Sequence, residues 1–158
     1  MSNDLKFKIS HKITDDNSSN FTIKPLDRGY GITVGNSLRR ALLTAVPGAA
    51  ITNVKIDGAH HEFSTIDGVK EDVADIIMNL KGVRFHLFES KVEPIFLKVK
   101  GPKAFTAADI QAVSDDFTIL NSNHHITDVA KGTTLEVELR LGIGKGYKSS
   151  EENKLNNS

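Results

Sequence analysis

Three closely spaced glycines, Gly29, Gly31 and Gly35, stand before a helical pattern and could cradle a phosphate. Phosphate-binding loops of this kind place backbone N–H groups at a helix start and have fixed spacings. Here the third glycine comes one position late for the dinucleotide motif, and the P-loop's Gly-Lys-Ser/Thr is absent. We therefore expect the glycines to form a tight strand-to-helix turn. The less favoured interpretation of these residues is a small nucleotide-binding protein that uses the Gly29–Gly35 loop, and it is kept as the alternative function.

Two histidine pairs, His60-His61 and His124-His125, could bind a metal ion. Adjacent side chains on a strand point to opposite faces, so neither pair easily ligates one ion. No carboxylate or cysteine has ligand spacing to them. The sequence therefore predicts no metal site and no cofactor.

Catalytic groups are also not recognisable. Glu71 and Asp72 are neighbours, which diverge on a helix, so we interpret them as charges at a helix start instead of an acid–base pair. Ser37, Ser64 and Thr65 have no recognisable arrangement with a histidine and an acid. The sequence therefore predicts no catalytic residue.

The bulk composition narrows the possible partners. The chain has 158 residues, with 20 basic (Lys and Arg) and 20 acidic residues, so no net charge attracts DNA or an anionic membrane. Cysteine is absent, which rules out disulfides and thiolate chemistry and favours the cytosol. No run of 18 apolar residues occurs. We expect neither direct DNA contact nor membrane association.

The helix that follows the glycines carries more apolar surface than one sheet can cover. With Leu38 at zero on a helical wheel, Leu42 and Val46 fall within about 80° of it. Leu43 lies about 140° round, and Arg40 at about 200° points away from the stripe. Burial of a leucine contributes about 1.5–3 kcal/mol, so Leu43 would drive association with a second surface. The alternative is one more exposed leucine on a monomer, which is common.

The remaining periodicity predicts a mixed α and β chain. Alternation predicts a hairpin from Leu5 to Pro25, and Val69 to Leu80 has helical spacing with Lys81-Gly82 as its end. The other predicted elements are a strand at Ala50–Asp57, a second short strand ending at Phe63, strands around 83–87, 95–99 and 135–143, short strands at 117–120 and 124–126, and one helical turn at 106–110.

Three stretches carry a family resemblance: Pro25–Gly48 with the core Gly-Ile-Thr-Val-Gly-Asn-Ser-Leu-Arg-Arg-Ala-Leu-Leu, Ile56–Thr65 with His-Glu-Phe-Ser, and Gly68–Lys81 with Ile-Ile-Met-Asn-Leu-Lys. Together they resemble the N-terminal domain of the bacterial or plastid RNA polymerase alpha subunit. The similarity continues weakly through Thr106–Ile110 and Gly144–Tyr147.

The resemblance implies an α+β fold, in which a partial sheet-plus-helix dimerisation domain carries an inserted, mostly antiparallel β domain. The expected divisions are 1–50 for the first part of the dimerisation domain, 51–147 for the inserted β-rich domain and 148–158 for a disordered polar tail.

It also implies a non-catalytic subunit of a nucleotidyltransferase, working in transcription in the bacterial cytoplasm or a plastid. Two alpha chains would form a homodimer on which the beta and beta-prime subunits assemble. The expected dimer interface comprises Leu38, Leu42, Leu43 and Val46, on or beside the helix Asn36–Ala45. Arg40 and Lys81 fall on family positions that contact the large subunits. A free-standing β-domain adaptor unrelated to polymerase would lack these partners.

After Tyr147 the sequence departs from the family pattern, in which further strands and a long dimer helix follow. We therefore expect a fragment or truncated alpha subunit. The apolar stripe of Leu38, Leu42 and Leu43 is then under-covered, which predicts aggregation or weak dimerisation.

Overall fold

A computed structural model of the chain describes residues 7–15, 18–88 and 93–155. The chain divides into two compact units, Met1–Val46 (unit 1) and Pro47–Ser158 (unit 2). Helices and antiparallel sheets occur together, so the predicted α+β class is confirmed.

The described residues of unit 1 form a hairpin and one helix. Strands β1 (Lys8–Asp15) and β2 (Ser18–Lys24) pair antiparallel, as their alternating sequence predicts. Leu5, the first residue of the predicted hairpin, lies outside the described residues. Helix α1 spans Tyr30–Ala45.

The start of α1 corrects the expected glycine turn. Gly29 is the residue before the helix and has a φ of 90°, a left-handed conformation that favours glycine. Gly31 and Gly35, however, lie inside α1, which begins at Tyr30. Two of the three glycines are therefore part of a helix, and the Gly29–Gly35 stretch does not form a phosphate-binding loop.

The described residues of unit 2 form seven strands and three helices. Its elements are β3 (Pro47–Ile56), α2 (Val73–Lys81), β4 (Phe85–Leu87), β5 (Ile95–Lys100), β6 (Lys103–Thr106), α3 (Ala107–Gln111), β7 (Phe117–Ile119), β8 (His125–Val129), β9 (Thr134–Lys145) and α4 (Ser150–Leu155).

The central sheet of unit 2 is five-stranded and antiparallel, with the order β5-β9-β3-β4-β7, while β6 and β8 form a separate pair. Period-two alternation builds its core, since Leu135, Val137 and Leu139 of β9 are buried and their neighbours are not. Phe85 of β4 and Phe117 of β7 add an edge-to-face contact with ring centroids 5.5 Å apart.

The segment before α2 differs from its prediction. Residues 57–72 form turns and bends with one isolated bridge from Val69 to Val129, and not a second strand ending at Phe63. The backbone there is held by local bonds, since the Ser64 N–H donates to the His61 carbonyl and the His61 N–H to Ser64 Oγ. Helix α2 starts at Val73 and not at Val69, because Asp72 Oδ1 accepts the Asp75 N–H at 2.8 Å and caps the helix.

Two further observations concern the expected divisions of the chain. Strand β3 begins at Pro47, so the expected boundary between 50 and 51 falls within a continuous strand. Helix α4 lies in the segment that we expected to be disordered, and residues 156–158 are outside the described residues. A reciprocal pair of bonds starts this helix, because Glu152 N–H donates to Ser149 Oγ and Ser149 N–H to Glu152 Oε2, both at 3.3 Å.

No helix among the described residues is long and apolar enough to cross a membrane.

Candidate functional site

Helix α1 is the first candidate, because its apolar side chains are uncovered. The structure describes all 16 residues of α1, and none of them is buried. Leu42 and Leu43 are 65% and 66% exposed, and Leu38 is 46% exposed. Most helices in proteins are stabilised by packing of an apolar face, and α1 has no side-chain cap at its start. The helix therefore presents an apolar surface suited to another polypeptide.

One face of α1 combines leucines with glycines. Leu38 and Leu42 are one turn apart, and Gly31 and Gly35 fall within about 60° of Leu38 on the same wheel. A Cβ added at either glycine would meet no described atom within 4 Å. Glycine lowers helix stability by about 1 kcal/mol relative to alanine. The two glycines therefore make α1 less stable, but they leave this face without protruding side chains.

The opposite side of α1 is also apolar. Ile32 is 75% exposed and lies on the same side as Leu43, about 20° apart on the wheel. Ile32 was not predicted as an apolar residue of the helix, because the helix was expected to begin after the glycines. Arg40, an exposed residue, lies beyond this side. Of the predicted interface residues, Leu38 and Leu42 therefore share one face, Leu43 occupies another, and exposed Val46 is the residue that ends the helix.

The hairpin of unit 1 has an open apolar face of its own. Ile9 pairs with Ile23, and His11 with Phe21, so their side chains share one face. The rings of His11 and Phe21 stack with centroids 5.6 Å apart. Ile9 and Phe21 are nevertheless exposed. An isolated two-stranded hairpin is marginal in water, so this face also favours an additional partner.

Lys81, the other predicted contact residue, lies in unit 2. It occupies the last turn of α2, where a cation interacts favourably with the helix C-terminus. Its side chain is exposed, and Gly82 follows it with N–H bonds to the Asn79 and Leu80 carbonyls. Lys81 is thus held on a well-ended helix and is available for contact.

A second cluster, formed by Glu71, His125 and Asp128, corrects the interpretation of Glu71. Glu71 lies before α2 and is not a charge within its first turn. Its Oε2 accepts the buried Thr127 hydroxyl at 2.6 Å and the Asp128 N–H at 2.9 Å. Glu71 therefore ties the segment before α2 to β8. The sequence separation of 56 residues left no local signal for this contact.

Hydrogen bonds favour the charged forms of Glu71 and Asp128. Burial alone would raise the pKa of Glu71, but the bonds from Thr127 and Asp128 outweigh it and lower the pKa below its usual value. Asp128 accepts from Lys70 Nζ at 3.1 Å and contacts His125 Nε2 at 3.2 Å, and these bonds lower its pKa. The same bond to Asp128 raises the pKa of Lys70.

The predicted histidine pairs are not brought together as ligand sets. His61 Nδ1 accepts the Phe63 N–H at 3.2 Å and closes a turn. The ring of His124 lies 2.8 Å from the Asn79 carbonyl through Nε2, next to Gly82. Only His125 of the four joins the one group of metal-ligating side chains found among the described residues.

Comparison with known proteins bears directly on this arrangement. The family model of the RNA polymerase Rpb3/RpoA insert domain matches residues 54–158. The chain belongs to this family. The match begins within β3 and covers the rest of unit 2, so the insert domain is the unit that holds the buried core.

Curated relatives extend the similarity into unit 1. The chain is 49% identical over 134 residues to the DNA-directed RNA polymerase subunit alpha of Chloroherpeton thalassium, covering 85% of this chain and 41% of that protein. It is 50% identical over 139 residues to that of Salinibacter ruber (88% and 42%) and 50% over 145 residues to that of Limosilactobacillus reuteri (91% and 46%). The predicted resemblance to alpha subunits is confirmed, and the chain spans less than half the length of these relatives.

Proposed function

We propose that the chain acts as a non-catalytic alpha subunit of a bacterial-type DNA-directed RNA polymerase, as an assembly platform in transcription. The observation that carries this proposal is the uncovered α1, which has apolar side chains on two sides and no buried residue. Similarity to relatives named as alpha subunits supports the same function. The chain itself would supply binding surface, while polymerisation chemistry would belong to other subunits.

The two sides of α1 suit two different partners. The smooth face of Leu38 and Leu42, with its accessible glycines, would pack on a second copy of the chain, giving a homodimer. Leu43 and Val46, which are both exposed, would complete this dimer interface, and Arg40, beyond Leu43 on the wheel, would face the beta subunit. Burial of the Arg40 guanidinium against an acceptor would add a charge-assisted bond worth about 1.5–3 kcal/mol. Lys81 would contact a large subunit from the end of α2.

Self-association tests the first face. Leu42→Asp should weaken dimerisation at least about tenfold, because a buried leucine contributes about 1.5–3 kcal/mol and an aspartate adds a desolvation cost. Leu120→Asp is a matched control, since Leu120 is 67% exposed and lies in unit 2. Light scattering during size-exclusion chromatography measures both. A dimer equally weakened by both variants, or by neither, would contradict the assignment.

Capture of the large subunits tests the proposed contacts of Arg40 and Lys81. A tagged chain co-expressed with beta and beta-prime should recover both, and Arg40→Ala and Lys81→Ala should reduce recovery several-fold while the dimer persists. Arg84→Ala and Lys131→Ala, which remove exposed cations elsewhere in unit 2, should leave recovery unchanged. Full recovery by Arg40→Ala and Lys81→Ala would refute their roles, and no recovery by the unmodified chain would refute the platform.

A further inference from the structure

The geometry of Glu71, His125 and Asp128 points to a site for one divalent transition-metal ion such as Zn²⁺. We propose that this ion is bound by one imidazole nitrogen and two carboxylate oxygens at the junction between α2 and β8. The inference does not depend on the proposed assembly role, because the three residues lie within unit 2.

A β-bulge brings the two β8 ligands to one face. Phe105 of β6 pairs with Thr127, but Thr106 pairs with His125, so Ile126 is an extra residue in β8. Ile126 and Thr127 are consecutive and both fully buried, which is consistent with the bulge turning both side chains toward the core. His125 and Asp128, three residues apart, consequently point the same way. Without the bulge they would lie on opposite faces.

The third ligand is positioned by backbone pairing. The Lys70 N–H donates to the Asp128 carbonyl at 3.0 Å, and the Ala130 N–H donates to the Gly68 carbonyl at 2.7 Å. This pairing places the segment before α2 alongside β8. The Thr127 hydroxyl and the Asp128 N–H then fix the Glu71 carboxylate. Two hydrogen-bond donors therefore orient this ligand, as outer partners do in metal sites.

The distances fit coordination of one ion. Zn²⁺ binds nitrogen and oxygen ligands at about 2.0–2.2 Å, so tetrahedral ligand atoms lie about 3.4 Å apart. His125 Nε2 and Asp128 Oδ1 are 3.2 Å apart, and one ligand atom from each of the three residues lies within 4.8 Å of the others. Rotation of the partly exposed His125 and Asp128 side chains would close the wider separations to Glu71. The imidazole favours zinc, nickel or iron, whereas magnesium and calcium prefer ligand sets made of oxygen atoms alone.

Lys70 is the group that opposes the ion. Its ammonium bonds Asp128 Oδ2, whereas His125 contacts Oδ1. The ion and the ammonium would therefore use different oxygens of one carboxylate, and the lysine would weaken binding through charge repulsion without blocking it. Removal of this charge should consequently strengthen metal binding, which is the opposite of the effect of removing a ligand.

Calorimetric titration of the untagged full chain with Zn²⁺ tests the site. We expect one equivalent to bind, His125→Ala to weaken binding at least tenfold, and Lys70→Met to strengthen it at least threefold. His86→Ala, which removes an exposed histidine from β4, should leave affinity unchanged. His125 is itself exposed, so its replacement should preserve the thermal melting curve. Millimolar Mg²⁺ should not displace Zn²⁺.

Paramagnetic Ni²⁺ provides a second readout. Its binding should broaden the amide signals of 125–128 and of 70–71 before those of the other histidines. Absence of saturable Zn²⁺ binding, less than a tenfold loss in His125→Ala, an equal loss in His86→Ala, unchanged or weaker binding by Lys70→Met, or broadening centred on His60 and His61 would each overturn the proposal.

Discussion

The two units of this chain have similar contents of large hydrophobic residues but differ in whether those residues are buried. All buried hydrophobic residues of the described chain lie in unit 2, between Ile56 and Leu139. Unit 1 is equally rich in leucine, isoleucine and phenylalanine, yet none of its described residues is buried. Unit 2 therefore has a hydrophobic core of its own. Unit 1 instead exposes its apolar side chains, and apolar surface of this kind is typical of interaction sites.

The largest expected difference concerns truncation of a core side chain. Phe117→Ala removes a fully buried ring that contacts Phe85 and should lower the free energy of unfolding by about 3–5 kcal/mol. Leu42→Ala in dilute monomer should change it by no more than about 0.5 kcal/mol. Urea unfolding followed by circular dichroism measures both. A comparable loss in Leu42→Ala would show that α1 is already covered.

Replacement of glycine by alanine should also have different effects in the two units, and Gly82 is the example from unit 2. An added Cβ would lie 2.6 Å from His124 Nε2, and that ring is held by the Asn79 carbonyl. Gly82→Ala should therefore destabilise unit 2 by about 1–3 kcal/mol through overpacking. Gly144→Ala is the control, because a Cβ there meets nothing within 4 Å among the described residues.

A double-mutant cycle identifies the cause of that destabilisation. If overpacking against His124 is responsible, His124→Ala should recover part of the stability lost in Gly82→Ala. Additive losses in the double variant would assign the effect to the backbone instead.

The smallest effect is expected at Gly35 in unit 1. Alanine fits there without contact and favours the helix, so Gly35→Ala should stabilise α1 by about 0.4–1 kcal/mol in the free chain. If a second copy packs on this face, the same methyl group should weaken the dimer. Helix content from circular dichroism and the dimer dissociation constant test the two signs. Tighter dimerisation would argue against close packing at Gly35.

The sequence predicted elements whose signal is local. Alternation at 95–99 and 135–143 correctly predicted β5 and β9, because one face of each is buried. The helical turn near Thr106 is also confirmed, and its capping box explains why a short helix forms there. Strand β6, which precedes it, was not predicted, since four residues give too little alternation.

The predictions from local sequence were wrong where glycines suggested a turn or where contacts between distant residues determined the structure. Gly31 and Gly35 suggested a turn, although helix geometry tolerates them at a modest cost. The expected strand after Gly58 is a turn closed by Ser64 and His61. The Glu71 cluster could not be predicted, because it depends on a bulge in β8 and on pairing across more than 50 residues.

The unburied state of α1 is the central claim, and hydrogen exchange measured against chain concentration tests it most directly. We predict fast exchange of the α1 amides at concentrations where the chain is monomeric, and protection that rises in proportion to the dimer fraction. Amides of β5 and β9 should remain protected throughout. Strong protection of α1 in the monomer, independent of concentration, would contradict the account.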